Sequence, residues 1–271
     1  MKIYIYQIYY DDRTKLQITK PFIPLDNSKN ERDDWFEFLP ILNFLRKNNL
    51  EDDAWYGFLS PRFHEKTGLK SEFIFNVIEK IGHEADVAIF SHGWDQLSYF
   101  LNPWEQGEAW HPGLLNATQK FLDSQGVLCN IRELVTDTTS SVFSNYIIAK
   151  KQYWQEWKKI AEDFYKYSED PKNYLYDTKV SYGTQESQYP LKTFIQERFA
   201  SLILARGKYK TIAADQSLSN NTFSRLFSDD ISTRRLLITC DQLKKLYREN
   251  LDENTLKIYY QIREKIPYSK P

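Results

Sequence analysis

The chain has 271 residues, of which 41% are hydrophobic and 27% charged, and its formal net charge at pH 7 is −1. This composition excludes a disordered chain, and the near-neutral charge excludes a large basic face for nucleic acid, so no nucleic-acid partner is expected. The two cysteines, Cys129 and Cys240, lie far apart without metal-ligand spacing, which indicates free thiols in a reducing compartment. Because the start lacks a signal-like apolar region and no run of about 18 apolar residues follows, a cytoplasmic protein is predicted, and peripheral contact with a membrane is left open.

Short apolar segments alternate with helical patterns along the first two thirds of the chain. Residues 20–34 contain two prolines and many turn formers, which predicts an irregular loop. Pro40 lies inside a helical pattern and indicates a kink or a late helix start. The predicted strands are 1–10, 54–59, 86–90, 142–149 and an edge strand at 209–214, and the predicted helices are 35–47, 71–81, 114–122, 151–167, 191–205 and two within 221–271.

Alternation of short buried strands with helices is typical of a mostly parallel sheet covered by helices. The sequence therefore predicts a Rossmann-like α/β fold with a helical C-terminal part. Residues 1–215 are expected to form the α/β domain, and residues 216–271 a helical extension packed on it.

Polar residues follow several of the predicted strands, in the loops 9–11, 60–63 and 91–95. In open α/β sheets, ligands bind beyond the carboxyl ends of the strands, so these loops are expected to form one composite site. The segment 86–114 concentrates site-forming residue types more than any other stretch. It is therefore predicted to form the floor of an active site.

Two acids in that segment are candidates for catalysis. Asp95 follows a buried strand and could bind a divalent cation that bridges a diphosphate, or could cap the next helix; no Asp-x-Asp pair is present. Glu105, next to Trp104 and close to His111, could have a raised pKa and act as a general base, or could belong to a solvated loop. The four histidines show no spacing typical of a zinc site.

Two further groups have both functional and structural interpretations. Asp26, Asn27 and Glu31 lie in a proline-stiffened loop that could bind a ribose or a base edge, or could form Asx turns. Glu197 and Arg198 lie within an apolar helical pattern, where a charged side chain needs a partner. One of them could reach the site, or both could form structural ion pairs.

The ordered segments IPLDN, WYGFLSPRF–KTG, DVAIF–WDQ, NPWEQGE–HPGL, SNYIIAKKQYWQEW and FIQERFASLILA resemble a bacterial glycosyltransferase-like family of surface-polysaccharide gene clusters. More loosely, they resemble GT-A-type transferases. The resemblance covers roughly residues 1–215. It implies a GT-A-like catalytic domain that moves a hexose from a nucleotide-sugar donor to a saccharide acceptor.

By this resemblance, the loops after the first strands would bind the donor and the segment after residue 101 the acceptor. Arg62 and Lys66 would stabilise the leaving diphosphate, and Pro61 and Phe63 would help to line the donor pocket. A divalent cation, Mg²⁺ or Mn²⁺, would be held at Asp95, and the Asp-x-Asp pair of GT-A enzymes is absent from this chain. The implied residues are Asp95 and Glu105 for catalysis; Tyr9, Asp26, Asn27, Glu31, Ser60, Arg62, Lys66, Trp94 and Gln96 for the nucleotide sugar; and Trp104, Gln106 and His111 for the acceptor.

Two other functions fit the sequence. Aromatic residues make up 16% of the chain, and the faces of Tyr and Trp suit stacking on sugars as well as core packing. The protein could therefore be a non-catalytic saccharide-binding or assembly protein with the same fold. A hydrolase that uses Glu105 and Asp95 as paired carboxylates is the third hypothesis.

Overall fold

The computed structural model describes residues 1–181, 187–217, 224 and 226–269. Its central sheet has six strands in the order β2-β1-β3-β5-β4-β8, and β5 is antiparallel to both of its neighbours. The strands pair in parallel elsewhere in this sheet. The predicted α/β class with a mostly parallel sheet is therefore confirmed. The strands are β1 Lys2–Tyr9, β2 Ile23–Asp26, β3 Ala54–Leu59, β4 Val87–Ile89, β5 Ile147–Lys150, β8 Thr211–Ala213 and, in a separate hairpin, β6 Lys179–Ser181 and β7 Gln188–Pro190.

Helices cover both faces of this sheet. Along β3, Trp55 faces one hydrophobic cluster and Tyr56 the other, because successive side chains point to opposite faces. Burial on both faces explains why all six residues of β3 are buried. The helices are α1 Asp12–Leu16, α2 Phe38–Lys47, α3 Phe63–Thr67, α4 Ser71–Ile81, α5 Trp94–Tyr99, α6 Pro103–Trp110, α7 Leu114–Ser124, α8 Lys151–Ser168, α9 Leu191–Gln196, α10 Phe199–Ala205, α11 Ile231–Asn250 and α12 Glu253–Arg263.

Much of the aromatic content lies in the core. Trp35 stacks on Phe38 with ring centroids 4.7 Å apart, and Phe164 packs edge-on against Phe199 at 4.9 Å. Trp154 and Trp157 are also fully buried, with centroids 5.9 Å apart. Such pairs add about 0.5–1.5 kcal/mol each beyond the apolar area they bury. These rings are therefore part of the core and are not exposed stacking surfaces for sugars.

Three sequence-based predictions of secondary structure were wrong. Residues 20–34 contain the edge strand β2, whose alternate residues are exposed, so it lacked a continuous apolar signal. The strand expected at 142–149 is shortened to β5, because Ser144 and Asn145 have φ values of 58° and 55° and cannot extend it. The helix expected at 191–205 breaks at residues 197–198 into α9 and α10.

The C-terminal helices α11 and α12 pack on α5. Tyr99 and Phe100 of the α5 end share a hydrophobic cluster with Leu237 and Tyr259. The fully buried Lys244 of α11 donates to the carbonyl oxygens of Leu97 and Phe100 at 2.5 and 2.6 Å, where a helix C-terminus favours a cation. Within the described ranges, no helix has the length and apolar character needed to cross a bilayer.

Candidate functional site

The carboxyl edge of the sheet brings together residues from four chain segments. Ser60 follows β3, His92 follows β4, and Tyr146 precedes the antiparallel β5, so all three lie at this edge. The hydroxyl groups of Ser60 and Tyr146 are 2.7 Å apart, and the rings of His92 and Tyr146 are 5.6 Å apart. Tyr10, directly after β1, hydrogen-bonds with Glu37, and the charges of Glu37 and Tyr146 help to raise its pKa. The strand-end loops therefore meet here, as the sequence predicted.

Two glutamates lie at this edge. Glu37 is the N-cap of α2, and Glu197 lies at the break between α9 and α10. Both are partly exposed to solvent. Burial of the carboxyl groups raises both pKa values above the usual 4.5, and the charge of Glu197 raises that of Glu37 further. The ammonium of Lys66 opposes this shift at both. Shifted carboxyl groups of this kind suit acid–base chemistry near neutral pH.

Neutral hydrogen-bonding groups surround these charges. Burial raises the pKa of the Tyr10 and Tyr146 hydroxyls, so both tyrosines are protonated at neutral pH. Burial and the nearby cations lower the pKa of His92 to about 3, so its ring is neutral. Lys66 donates to the Ser144 hydroxyl at 3.0 Å. The site therefore combines a lysine, two titratable carboxyls and several neutral donors and acceptors.

The backbone is strained next to these side chains. Phe36, directly before Glu37, has φ 43° and ψ −131°, and Ser144 and Asn145 precede Tyr146 with positive φ. Each such non-glycine residue costs on the order of 1–3 kcal/mol, and such strain concentrates at functional sites. Of the four non-glycine residues with positive φ in the described ranges, three flank this cluster.

Several buried polar atoms at the same edge have no partner within the described chain. They are the Gln7 Oε1, Asn27 Nδ2, His92 Nδ1 and Asn145 Oδ1 atoms. An unsatisfied buried group costs about 1–3 kcal/mol, so native folds contain few of them. These four atoms add unpaired hydrogen-bonding capacity at the edge where the strand-end loops meet.

A charge network fixes the segment that carries Glu37. The ammonium of Lys192, which is 3% exposed, contacts the carboxylates of Asp34 at 2.5 Å and Glu169 at 3.0 Å. Arg32 bridges the same two carboxylates, at 2.8 and 2.7 Å. The Lys192 ammonium also lies 4.3 Å from the centroid of the Trp35 ring. Residues 32–35 are thereby tied to α8 and α9, which determines where Glu37 can lie.

Asp95 lies away from this chemistry. It is fully buried, and its oxygens accept from the backbone N–H groups of Gln96 at 2.9 Å and Ser224 at 2.6 Å. Burial raises its pKa. Both oxygens therefore accept hydrogen bonds within the protein, and the role of Asp95 as a cation ligand stays a prediction. Elsewhere in the described ranges, no group of three or more His, Cys, Asp or Glu side chains could hold a metal ion.

Glu105 forms a structural ion pair instead of facing the carboxyl edge. It accepts from Arg263 of α12 at 2.8 and 3.1 Å and from the backbone N–H of Leu101 at 2.6 Å. Arg263 also lies over the Tyr99 ring, 4.6 Å from its centroid. The carboxylate therefore joins α12 to α6.

Replacing Glu105 by Gln is expected to lower the free energy of unfolding by about 1–2 kcal/mol, because a two-pronged, partly buried ion pair is lost. Any catalytic activity should be unchanged at a temperature where the variant is folded. Urea denaturation followed by far-UV circular dichroism, with turnover measured in parallel, checks both. A large loss of turnover with unchanged stability would restore the catalytic role predicted for Glu105.

Of the residues predicted to bind the acceptor, Trp104 and His111 are buried and Gln106 is half-buried. Trp104 is fully buried, and His111 stacks on Phe194 with centroids 3.6 Å apart, with its Nδ1 atom 3.1 Å from the Ser181 carbonyl. Burial lowers the pKa of His111 to about 4. Gln106 accepts from Arg198 at 2.8 Å. These contacts hold α6 in place and leave little of these side chains for an acceptor.

Arg198 explains the glycine in the segment NPWEQGE. Its guanidinium donates to the Pro103 and Phe194 carbonyls at 2.7 and 2.5 Å. A Cβ atom on Gly107 would come within 2.6 Å of it. The structural interpretation of Arg198 is therefore supported, whereas its sequence neighbour Glu197 reaches the carboxyl edge.

Only some of the predicted nucleotide-binding residues belong to the carboxyl edge of the sheet. Ser60 and Lys66 are central to the carboxyl-edge cluster, while Arg62 is an exposed residue paired with Glu65 at 2.6 Å. Asp26 binds the backbone and hydroxyl of Ser28 at 2.8 and 2.7 Å, which lowers its pKa to about 2. Tyr9, Asp26 and Asn27 end the neighbouring strands β1 and β2, Glu31 is exposed, and Trp94 and Gln96 belong to α5. Their nucleotide-binding roles stay predictions.

Sequence reasoning missed Glu37 and Tyr146, and it included Tyr10 only as part of the strand-end loop 9–11. A usable signal existed for Glu37, since it is an acid inside the apolar run WFEFL. Such an acid has to find a partner or shift its pKa. Tyr146 carried no such signal, because 19 tyrosines occur in the chain.

The double variant Glu37→Gln, Glu197→Gln should change how stability depends on pH. Both carboxyls have a higher pKa in the folded protein than in the unfolded chain, so wild-type stability falls as pH rises through 4.5 towards the folded values. The variant lacks this loss. Between pH 4 and pH 7 its free energy of unfolding should therefore rise relative to that of the wild type by on the order of 1 kcal/mol, a value that allows for the partial solvent exposure of both carboxyls. Urea denaturation at several pH values measures this difference. If the free energies of unfolding of the variant and the wild type changed in parallel with pH, the prediction would be contradicted.

The sequence matches no protein family, and neither a curated protein nor a solved structure is similar enough to this chain to count as a match.

Proposed function

We propose that this protein is a GT-A-like glycosyltransferase that uses a nucleotide-sugar donor and a saccharide acceptor, in the cytoplasmic synthesis of a bacterial surface polysaccharide. The observation that supports it most is the pair Glu37 and Glu197 with Lys66 at the carboxyl edge of the parallel strands. Ligands of open α/β sheets bind at this edge. The segments that resemble glycosyltransferases contribute Ser60, Lys66, Tyr146 and Glu197 to the same edge.

In this proposal Glu197 is the base. Lys66 and Arg198 both favour its charged form, whereas the charge of Glu197 helps to keep Glu37 protonated. Glu197 would accept the proton of an acceptor hydroxyl as that oxygen attacks the anomeric carbon. The bond from the anomeric carbon to the diphosphate breaks, and the electron pair leaves with the diphosphate. Such a single displacement inverts the anomeric centre.

The leaving diphosphate would be stabilised by basic side chains. Lys66 is held by Ser144 within the cluster, and the exposed Arg62 lies at its rim, close enough to lower the pKa of His92. A positive charge placed where negative charge develops lowers the barrier by several kcal/mol. The neutral His92 and the protonated Tyr10 and Tyr146 offer hydrogen bonds without adding charge.

Incubating the purified protein with a panel of UDP- and GDP-sugars, with and without Mn²⁺, tests this function. Release of nucleoside diphosphate, and its loss in Glu197→Gln, would support it. Calorimetry with UDP and GDP gives a second measurement that does not need an acceptor. Absence of both turnover and nucleotide binding would overturn the proposal.

A glycoside hydrolase is the second candidate, because two carboxyls with raised pKa values at one edge also suit glycosidic-bond cleavage. Here one carboxyl would protonate the leaving oxygen, and the other would activate water or attack the anomeric carbon. Cleavage of aryl glycosides without any nucleotide binding would favour this candidate. Lys66→Met distinguishes the two candidate functions. It should lower the turnover of a transferase more than that of a hydrolase, since only the transferase needs a cation for a diphosphate.

A further inference from the structure

A cavity of about 210 Å³ lies between the sheet, α5 and α11. Ser91 and Ala214, which follow β4 and β8, line it together with side chains of α11. Its walls combine an apolar side with hydroxyl, amide and carboxylate groups. The residues that carry the argument are Trp94, Ser98, Asp215, Gln216, Asp241 and Lys245.

Gln216 distinguishes this cavity from an ordinary surface groove. The residue is 4% exposed, and neither its Nε2 nor its Oε1 atom has a hydrogen-bond partner in the part of the chain that the structure describes. Its neighbours are engaged: Ser98 donates to the Trp94 carbonyl at 2.7 Å, and Lys245 pairs with Asp241 at 2.8 Å. A buried amide whose nitrogen and oxygen both lack partners is costly unless a ligand pairs with it.

The lining also restricts the ligand's charge. Two carboxylates, Asp215 and Asp241, face one ammonium, Lys245, and that ammonium is already paired. An anionic group such as a phosphate or a uronate would therefore meet net negative charge. A cavity of about 210 Å³ has room for a single sugar ring and not for a whole nucleotide.

We propose that this cavity binds one neutral saccharide unit, with the Gln216 amide donating to one hydroxyl and accepting from its neighbour, and with Trp94 and Leu97 against the apolar face of the ring. Adjacent sugar hydroxyls present the donor and acceptor pair that a carboxamide complements. This site is separate from Glu37 and Glu197, and the inference does not depend on the transferase activity.

Saturation-transfer difference NMR on the full chain tests the proposal with methyl hexosides and methyl N-acetylhexosaminides as neutral probes, and with glucuronate and inorganic phosphate as anionic ones. A neutral probe should bind the wild type, and Gln216→Leu should bind it at least about tenfold more weakly, because two hydrogen bonds are lost. The variant should be no less stable than the wild type, since it removes a buried, unpaired amide. Gln216→Asn keeps the amide but shortens the side chain by one methylene, so it should also weaken binding. It replaces Gln216→Leu as the test if that variant does not fold.

Gln152→Leu is the matched control, because Gln152 lines a different cavity at the amino end of β3, beside Asp52 and Trp55. It should bind the probe as the wild type does. Absence of binding by every neutral probe, equal binding by the wild type and the Gln216 variants, or preferential binding of phosphate or glucuronate would each overturn the proposal. An equal loss in Gln152→Leu would do the same.

Discussion

Replacing Glu197 by Gln is expected to lower the transfer rate by about 10²–10⁴-fold, the usual contribution of a general base. The amide fills the same space but cannot accept the proton of the acceptor hydroxyl. The fold should be unaffected or slightly more stable, because burial already disfavours the charged form of Glu197. The measurement is the turnover number with the donor that the nucleotide-sugar screen identifies, together with the Kd for the nucleoside diphosphate, which should change little.

Glu105→Gln is the matched control for that experiment, because it makes the same replacement at a carboxylate that pairs with Arg263. It should lose stability and keep its turnover number. Glu37→Gln is informative as well: if Glu37 stays protonated, the amide mimics it, and the rate should fall less than in Glu197→Gln. A Glu197→Gln variant with wild-type turnover would eliminate Glu197 as the base.

Replacing Lys192 by Met is expected to destabilise the protein by about 3 kcal/mol, because a nearly inaccessible ammonium is removed from between two carboxylates. Arg32 still pairs with Asp34 and Glu169, so the cost should stay at the lower end for a broken buried pair. The cation over the Trp35 ring is lost too, which loosens the segment before Glu37. Urea denaturation gives the change in free energy, and turnover should fall at temperatures where the variant is still folded.

Lys151→Met provides the comparison for an exposed pair. Lys151 contacts Asp52 at 2.7 Å, but the Asp52 side chain is 80% exposed. Such a pair contributes about 0–1 kcal/mol, so its loss should hardly move the transition. Equal changes in the free energy of unfolding for the two lysine variants would show that burial of the network around Lys192 contributes nothing to stability.

The location of the candidate site could be predicted, whereas the roles of its residues could not. Polar loops after buried strands had to meet at one edge once the strands were parallel, and Ser60, Lys66 and His92 did so. Asp95 and Glu105 were chosen for their residue type and their neighbours in sequence. Their oxygens are engaged by Ser224 and Arg263, more than 100 residues away in the chain. The partners of a carboxylate determine its role, and in this chain they are not local.

By itself, the sequence determined the α/β class, the mostly parallel sheet and the edge at which a ligand is expected, because these follow from local apolar periodicity and from the rules for connecting parallel strands. Only the tertiary structure decided which acids lie at that edge with a raised pKa. Glu37 and Glu197 are 160 positions apart, and the break between α9 and α10 together with the Lys192 network places them at one edge. Desolvation and charge coupling depend on distances in space, and an amino-acid sequence does not contain those distances.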